Sequence, residues 1–243
     1  MPKYDSSGTL ADYYRNLGLS EHAWHIGPEH PALEELGLRM LGTTRGARVL
    51  ELGVQSGGFA VPVILAAAKR SGFAYMGVDS LEYTNAVPLR LIAEYLERHD
   101  VPAAAMTFVE GDSTTALRSA APSSYDLILF DHYKPKYPID LQITFQRRLL
   151  SDEGVIVLHD VLAQAANEWK VCERVCRAYG YTWTIETGVS QGAAVLRRKQ
   201  SPAPSPSTAL VAMEVTLGWY AHAAVLRSRR AVGRFLRIAG LRS

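Results

Sequence analysis

The stretch ARVLELGVQSGG, residues 47–58, decides the fold. Its first six residues read as a short buried strand, which breaks at Gly53 into a loop with two further glycines before an apolar segment at 58–70 begins. Strand, glycine turn and helix together open an α/β unit. Glycine lets the backbone turn sharply and approach a ligand closely, although tight strand-to-helix turns also need glycine for structural reasons alone. From Glu51 to Gly57 the pattern is E-x-G-x-x-x-G. Neither G-x-G-x-x-G nor G-x-x-x-x-G-K-[ST] occurs there, so the loop does not carry the usual signatures for a dinucleotide pyrophosphate or a P-loop nucleotide.

Outward from this unit the same alternation repeats. FAYMGVD (73–79), AMTFVEG (105–111), YDLILFD (125–131) and GVIVLHD (154–160) read as further strands. Amphipathic segments lie at 58–70, 86–99, 138–150 and 165–179, with Pro62 and Pro138 in first turns where proline is tolerated. Such alternation predicts a doubly wound α/β fold around a parallel sheet. TWTIET (182–187) and GAAVLRR (192–198), joined by the turn-prone GVSQ, predict a closing hairpin. The expected sheet is seven-stranded, mostly parallel, with an antiparallel last strand.

The 243 residues, 48% of them hydrophobic, suffice for one substantial core. Cys172 and Cys176 are the only cysteines, and their i, i+4 spacing places both on one helix face without zinc-ligand neighbours. The apolar run VPVILAAA is too short to span a bilayer, and MPKYDSSGTL lacks a signal-peptide core, so a cytoplasmic location is expected. Charge divides the chain. Residues 201–243 hold six arginines against Glu214 and carry +5, leaving −3 on residues 1–200. QSPAPSPST separates the two as an extended linker. The expected organisation is a catalytic domain at 1–199, a linker at 200–208 and a basic amphipathic helical tail at 209–243.

In a doubly wound sheet, ligands bind outside the carboxyl ends of the strands. The tract LILFDHYKPKYPID, residues 127–140, puts Asp131 at such an end with Lys134 three residues on. Asp79 ends the second strand, where a carboxylate can accept hydrogen bonds from ribose hydroxyls, and Gly111-Asp112-Ser113 ends the third. Each acid is also a plausible helix cap, and Lys134 and Lys136 also read as solvated loop charges. Their occurrence at consecutive strand ends favours a site.

From about Trp24 to Arg198 the chain resembles the class I S-adenosylmethionine-dependent methyltransferases, through VLELGVQSGG, GVDS and VEGDS. FDHYKPKYPID followed by GVIVLHDVL resembles catechol O-methyltransferase and related small-molecule O-methyltransferases, and WHIG (24–27) is similar to the segment covering methionine in those enzymes. The resemblance implies that Trp24, Ile26, Gly27, Glu51 and Gly53 flank the methionine portion. Ser56 and Gly57 would belong to its loop, Asp79 would hold the ribose, and Asp112, Ser113 and His132 would surround the adenine. It makes Asp131 both a wall of the cofactor site and a ligand of a divalent cation such as Mg²⁺, with Asp160 as the second ligand and Lys134 as the general base. The relatives continue with asparagine where this chain has Val161, which cannot coordinate. Two carboxylates with waters still suit Mg²⁺. Alternatively, His159 serves as base or acceptor ligand without metal, although strand alternation would point it away from Asp160.

Among other residues, Glu186 is a lesser candidate for binding the acceptor, while Tyr133, Tyr137 and Trp24 could line aromatic surfaces. His25 falls in the lid segment and His30 reads as a surface residue. In the tail, Gly218, Gly233 and Gly240 are expected weak points or ends, and Leu226, Val232, Phe235 and Leu236 an apolar stripe. Its expected roles, in order, are protein docking or homo-oligomerisation, membrane-surface contact and, least favoured, nucleic-acid contact. The activity expected is methyl transfer to a hydroxyl of a small molecule, catechol-like in the sense of a vicinal aromatic diol. The alternatives are methylation of a sugar hydroxyl or an amine in natural-product tailoring, and a non-catalytic module that binds the cofactor or a metabolite.

Overall fold

Arg48–Leu52 forms β1, at the centre of a seven-stranded sheet ordered β3-β2-β1-β4-β5-β7-β6. The other strands are β2 (Ala74–Asp79), β3 (Met106–Glu110), β4 (Tyr125–Phe130), β5 (Leu150–His159), β6 (Thr184–Glu186) and β7 (Ala193–Arg197). The computed structural model describes residues 9–20, 35–36, 39–41, 46–68, 72–81, 87–162, 166–188, 191–199 and 208–238, with only the backbone of 166, 167, 226 and 229–238. Helices α1 (Leu10–Asn16), α2 (Ala60–Ala67), α3 (Leu89–Arg98), α4 (Ser113–Ser119), α5 (Tyr137–Gln146), α6 (Ala166–Ala178) and α7 (Thr208–Ile238) occupy the connections and the C-terminal end.

Period-2 alternation divides the strand side chains between two cores. Val49, Leu127, Leu129, Val155 and Val157 face a cluster with Ile64 of α2 and Ile92 of α3, whereas Leu50, Leu52, Ile128, Phe130, Ile156 and Leu158 face one with Leu141 of α5 and Cys172 of α6. The result is three layers, helix, sheet and helix. Central strands buried on both faces explain the nearly continuous apolar runs in the sequence. Full burial of each such aliphatic side chain contributes roughly 1.5–3 kcal/mol.

β1 pairs in parallel with β2 on one side and β4 on the other, so the connections diverge at its carboxyl end. β7 pairs antiparallel with β5 and β6, as the closing hairpin requires. Some boundaries differ from expectation. α5 ends at Gln146 rather than near residue 150, because β5 already begins at Leu150. The pairing of Tyr125 with Leu150 recruits those residues, a long-range interaction that no local pattern encodes. The tail forms a continuous helix through Gly218 and Gly233, about 46 Å long at the usual rise. It docks on its own domain: Val215 is buried, the Thr208 hydroxyl donates to the Ala178 carbonyl at 2.9 Å, and Arg174 pairs with Glu214. The side chains of Leu226, Val232, Phe235 and Leu236 lie outside the described residues.

Candidate active site

The carboxyl ends of β1 and β4 meet through Gly53. Its φ is +91°, and a Cβ placed there would lie 2.2 Å from the Asp131 carbonyl oxygen and 2.8 Å from the His132 Cα. Only glycine permits this contact. The Gly53 amide donates to the Val78 carbonyl at 2.8 Å and the Asp131 amide to the Leu52 carbonyl at 2.8 Å, which brings three strand ends into one rim.

A cavity of about 720 Å³ opens on this rim. Its walls include Gly53, Asp79, Asp112, Ser113, Asp131 and His132, six of the residues singled out in the sequence. Asp79 is buried and accepts from the Gln55 and Leu81 amides, both at 2.7 Å, which aligns its carboxylate with the two adjoining loops. Asp112 caps α4 through the Thr115 amide at 2.9 Å and also binds Lys136. Partial burial raises the pKa of Asp112, but the hydrogen bonds from Lys136 and Thr115 outweigh it and keep the carboxyl below its ordinary value. The helix-cap reading and the cavity-wall reading of Asp112 therefore both hold.

Glu51, Ser56 and Gly57 stand behind this wall. Glu51 is buried, and its Oε2 accepts from the Tyr75 hydroxyl at 2.7 Å, while Oε1 has no hydrogen-bond partner among the described residues. Burial pushes this carboxyl well above the usual range despite the Tyr75 hydrogen bond. The Ser56 carbonyl accepts from the buried Tyr14 hydroxyl at 2.7 Å, so α1 braces the glycine loop. At Gly57, φ is +81°, and a Cβ there would meet Val61 and Ile92 side chains at 3.2 and 3.3 Å. Trp24, His25, Ile26, Gly27 and His30 lie outside the described residues.

Beside the cavity, Asp131 joins a charged cluster. Lys134 Nζ lies 3.0 Å from Asp131 Oδ1, 2.9 Å from Asp160 Oδ2 and 3.2 Å from the Tyr137 hydroxyl. His159 Nδ1 is 3.2 Å from Asp131 Oδ2 and 3.4 Å from Asp160 Oδ1. Strand alternation misplaces this histidine. β5 ends at His159, and Asp160 adopts φ +60°, which turns the chain so that both neighbours place a polar atom within 4.8 Å of Asp131, the residue after β4.

The cluster is electrostatically coupled. Burial alone would raise the pKa of Asp131, but the charge of Lys134 and the hydrogen bond to His159 hold it well below the carboxylate range. Burial would lower that of Lys134, yet Asp131 and Asp160 keep it well above the usual lysine range. His159, also opposed by burial, is pushed up to about 9 by its hydrogen bond with Asp131 and the charges of Asp131 and Asp160. Both cations are thus protonated at neutral pH.

Asp131, His159 and Asp160 can each offer one ligand atom within 4.8 Å of the others. Val161 is buried and offers none. This donor set fits a divalent cation, since two carboxylates satisfy Mg²⁺ completed by waters and an added imidazole suits first-row transition metals.

Sequence reasoning missed Asp140. This fully buried carboxylate on α5 accepts from the Ser113 and Thr114 hydroxyls, each at 2.7 Å, and lies 3.2 Å from His132 Nε2. Its signal was an acid inside the otherwise apolar and aromatic start of a helix, YPIDLQI. Trp219, Ala223 and Arg227 of α7 also line the cavity, and no local pattern announces that contact. Tyr137 is fully buried with its hydroxyl donating to the Phe130 carbonyl at 2.7 Å, so its ring belongs chiefly to the core. Glu186 pairs with Arg39 at 3.3 Å.

No curated protein matches the chain in sequence. Residues 50–161 match the family model described as a methyltransferase domain. Similar solved structures include a Corynebacterium glutamicum protein at 12% identity, covering 83% of this chain and 93% of that one with a TM-score of 0.61. A Podospora anserina methyltransferase bound to S-adenosylhomocysteine shares 18% identity over 82% of this chain and 89% of that one, with a TM-score of 0.55. A Streptomyces achromogenes O-methyltransferase of tomaymycin synthesis, in complex with S-adenosylmethionine, shares 16% identity over 82% and 91% of the two chains, again at 0.55. At these identities the likeness establishes the fold. Residues 50–161 are thus similar to a methyltransferase domain, and the seven-stranded sheet has the Rossmann-like fold of these solved structures.

Proposed function

We propose that the protein transfers the methyl group of S-adenosylmethionine to a hydroxyl oxygen of a small acceptor, with a catechol-like vicinal diol as the favoured class. The observation carrying this reading is the double position of Asp131, which lines the cavity and also contacts Lys134 and His159. One residue thereby joins a cofactor-sized cavity to a cluster able to handle a hydroxyl proton.

The walls suit S-adenosylmethionine. Asp79 can accept from ribose hydroxyls with its remaining lone pairs, and Asp112 with Ser113 can meet the amino and ring edge of adenine. When bound, the cofactor supplies a methyl group on a sulfonium leaving group, so the protein's task is chiefly alignment and acceptor activation.

At the acceptor, Lys134 enters as an ammonium, because Asp131 and Asp160 hold it protonated. In that state it stabilises developing negative charge on the hydroxyl oxygen. It becomes a general base only when another cation engages its carboxylate partners. A divalent ion held by Asp131 and Asp160, with His159 adjacent, would act as a Lewis acid and lower the pKa of the acceptor hydroxyl. A second, metal-free reading uses the His159–Asp131 pair as a proton acceptor at pH above about 9, where the imidazole is neutral, supported by their 3.2 Å approach.

A screen of catechols, sugars and amines for S-adenosylhomocysteine formation, with Mg²⁺ or with saturating EDTA, tests the assignment. Transfer to catechols alone or preferentially is expected. Exclusive turnover of amines would defeat the hydroxyl reading.

A further inference from the structure

The C-terminal helix lies outside the matched methyltransferase segment, yet Trp219, Ala223 and Arg227 share the cavity with Asp112, Ser113 and His132. Their spacing of four places them on one helical face. Ala223 presents only a methyl group between two long side chains, leaving a notch on that face. The helix is tied to the loop after β4 at the same place. The Tyr133 hydroxyl lies 3.0 Å from His222 Nε2, and Lys136 Nζ, which binds Asp112, sits 5.9 Å from the Trp219 ring centre.

Charge and shape agree with a ligand-facing role. Asp79, Glu110, Asp112 and Asp131 make the cavity's opposing walls acidic, and Arg227 adds a cation to its lining. Trp219 is partly buried and packs against the core under α5 and α6, so its placement is fixed by the fold. Val215 and the Arg174–Glu214 pair already anchor the first half of the helix to the domain. The cavity-facing residues follow this anchor by one turn or more.

We propose that α7 is the outer wall of the adenosine end of the cofactor site, with Trp219 packing against the adenosine and Tyr133 and His222 as positioning residues. The inference rests on the reading of the cavity as an S-adenosylmethionine site. It assigns the tail a role in cofactor binding in addition to its docking on the domain. An aromatic face is suited to an adenine base because stacking requires no particular hydrogen-bond register.

The test is titration of S-adenosylhomocysteine into the full-length protein and its variants, followed by calorimetry and tryptophan fluorescence. Trp219→Ala is expected to weaken binding about tenfold or more, within the range of base–aromatic stacking. Trp219→Phe should bind within about threefold of the parent, since an aromatic face is retained, yet lose most of the ligand-induced fluorescence change. Tyr133→Phe, which removes only the hydroxyl facing His222, should weaken binding by a few fold. If the parent binds, Asp79→Asn weakens binding, and Trp219→Ala with unchanged circular dichroism binds like the parent, α7 is not a wall and the cofactor reading survives. If Trp219→Ala fails to fold, an unaltered fluorescence change in Trp219→Phe overturns the proposal. A parent protein that binds no S-adenosylhomocysteine overturns the cofactor reading and this inference together.

Discussion

Lys134 Nζ lies 2.9 Å from Asp160 Oδ2 and so ties the loop after β4 to the end of β5. The same ammonium reaches Asp131 at 3.0 Å, placing one cation between two strand-end carboxylates. Replacing Lys134 with alanine should reduce methyl transfer by about 10² to 10⁴, the range for loss of a positioned proton-transfer group. S-adenosylhomocysteine affinity should stay near that of the parent, as calorimetry would read. Retained turnover would remove Lys134 from the reaction.

Chelation separates the two roles available to the carboxylates. If Asp131 and Asp160 hold a divalent ion, EDTA should abolish transfer and Mg²⁺ or Mn²⁺ should restore it, whereas Asp160→Asn should demand more metal for half-maximal rate. Full activity in saturating EDTA with Asp160→Asn unimpaired would leave the pair as partners of Lys134 and His159 only.

His159 makes a pH-dependent contribution to stability. Its folded pKa of about 9 exceeds the ordinary 6.5, so the stabilisation is fully present below 6.5 and is lost as pH rises through about 9. The increment expected is about 1–3 kcal/mol. Thermal melts from pH 6 to 10 should show the parent losing this increment while His159→Gln follows a flatter curve. Parallel curves would refute the linkage.

Gly53→Ala should be severely damaging. The new Cβ would lie 2.2 Å from the Asp131 carbonyl oxygen in a backbone conformation at φ +91° that alanine disfavours. A loss of several kcal/mol, or failure to fold, is expected from denaturant titration because backbone atoms, rather than a flexible side-chain tip, oppose the methyl group. Parent-like stability would show that β1 and β4 can part without cost.

Asp140→Ala should cost about 2–4 kcal/mol, since it leaves the buried Ser113 hydroxyl and its neighbours without their acceptor. Cofactor affinity should fall with it, because Ser113 and His132 line the cavity. Asp140→Asn, which retains one acceptor oxygen, should recover part of both losses in melting and binding measurements. An alanine variant that binds and melts like the parent would deny Asp140 its organising part.

The succession of strands and helices along the chain, the hairpin and the strand-end acids were legible because each follows from local periodicity and glycine placement. Asp79, Asp112 and Asp131 were found by position alone, since parallel topology collects successive strand ends on one rim. Residues such as Asp140 and Trp219 were not, because their chemistry depends on contacts between elements distant along the chain. His159 was misdirected by the very rule that located its strand: alternation holds only while the backbone stays extended, and Asp160 leaves that conformation.

By itself, then, the sequence determined which segments are strands and helices, and that acids and a lysine stand at the ends of β2, β3, β4 and β5. Hydrophobic period and glycine conformational freedom are local properties, so the chain states them directly. Only the tertiary structure decided that Lys134 is clasped between Asp131 and Asp160, that His159 faces both, and that the C-terminal helix closes on the cavity. Those relationships arise from strand register, a left-handed turn at Asp160 and the packing of α7 on α5 and α6, each settled by long-range burial rather than by neighbouring residues.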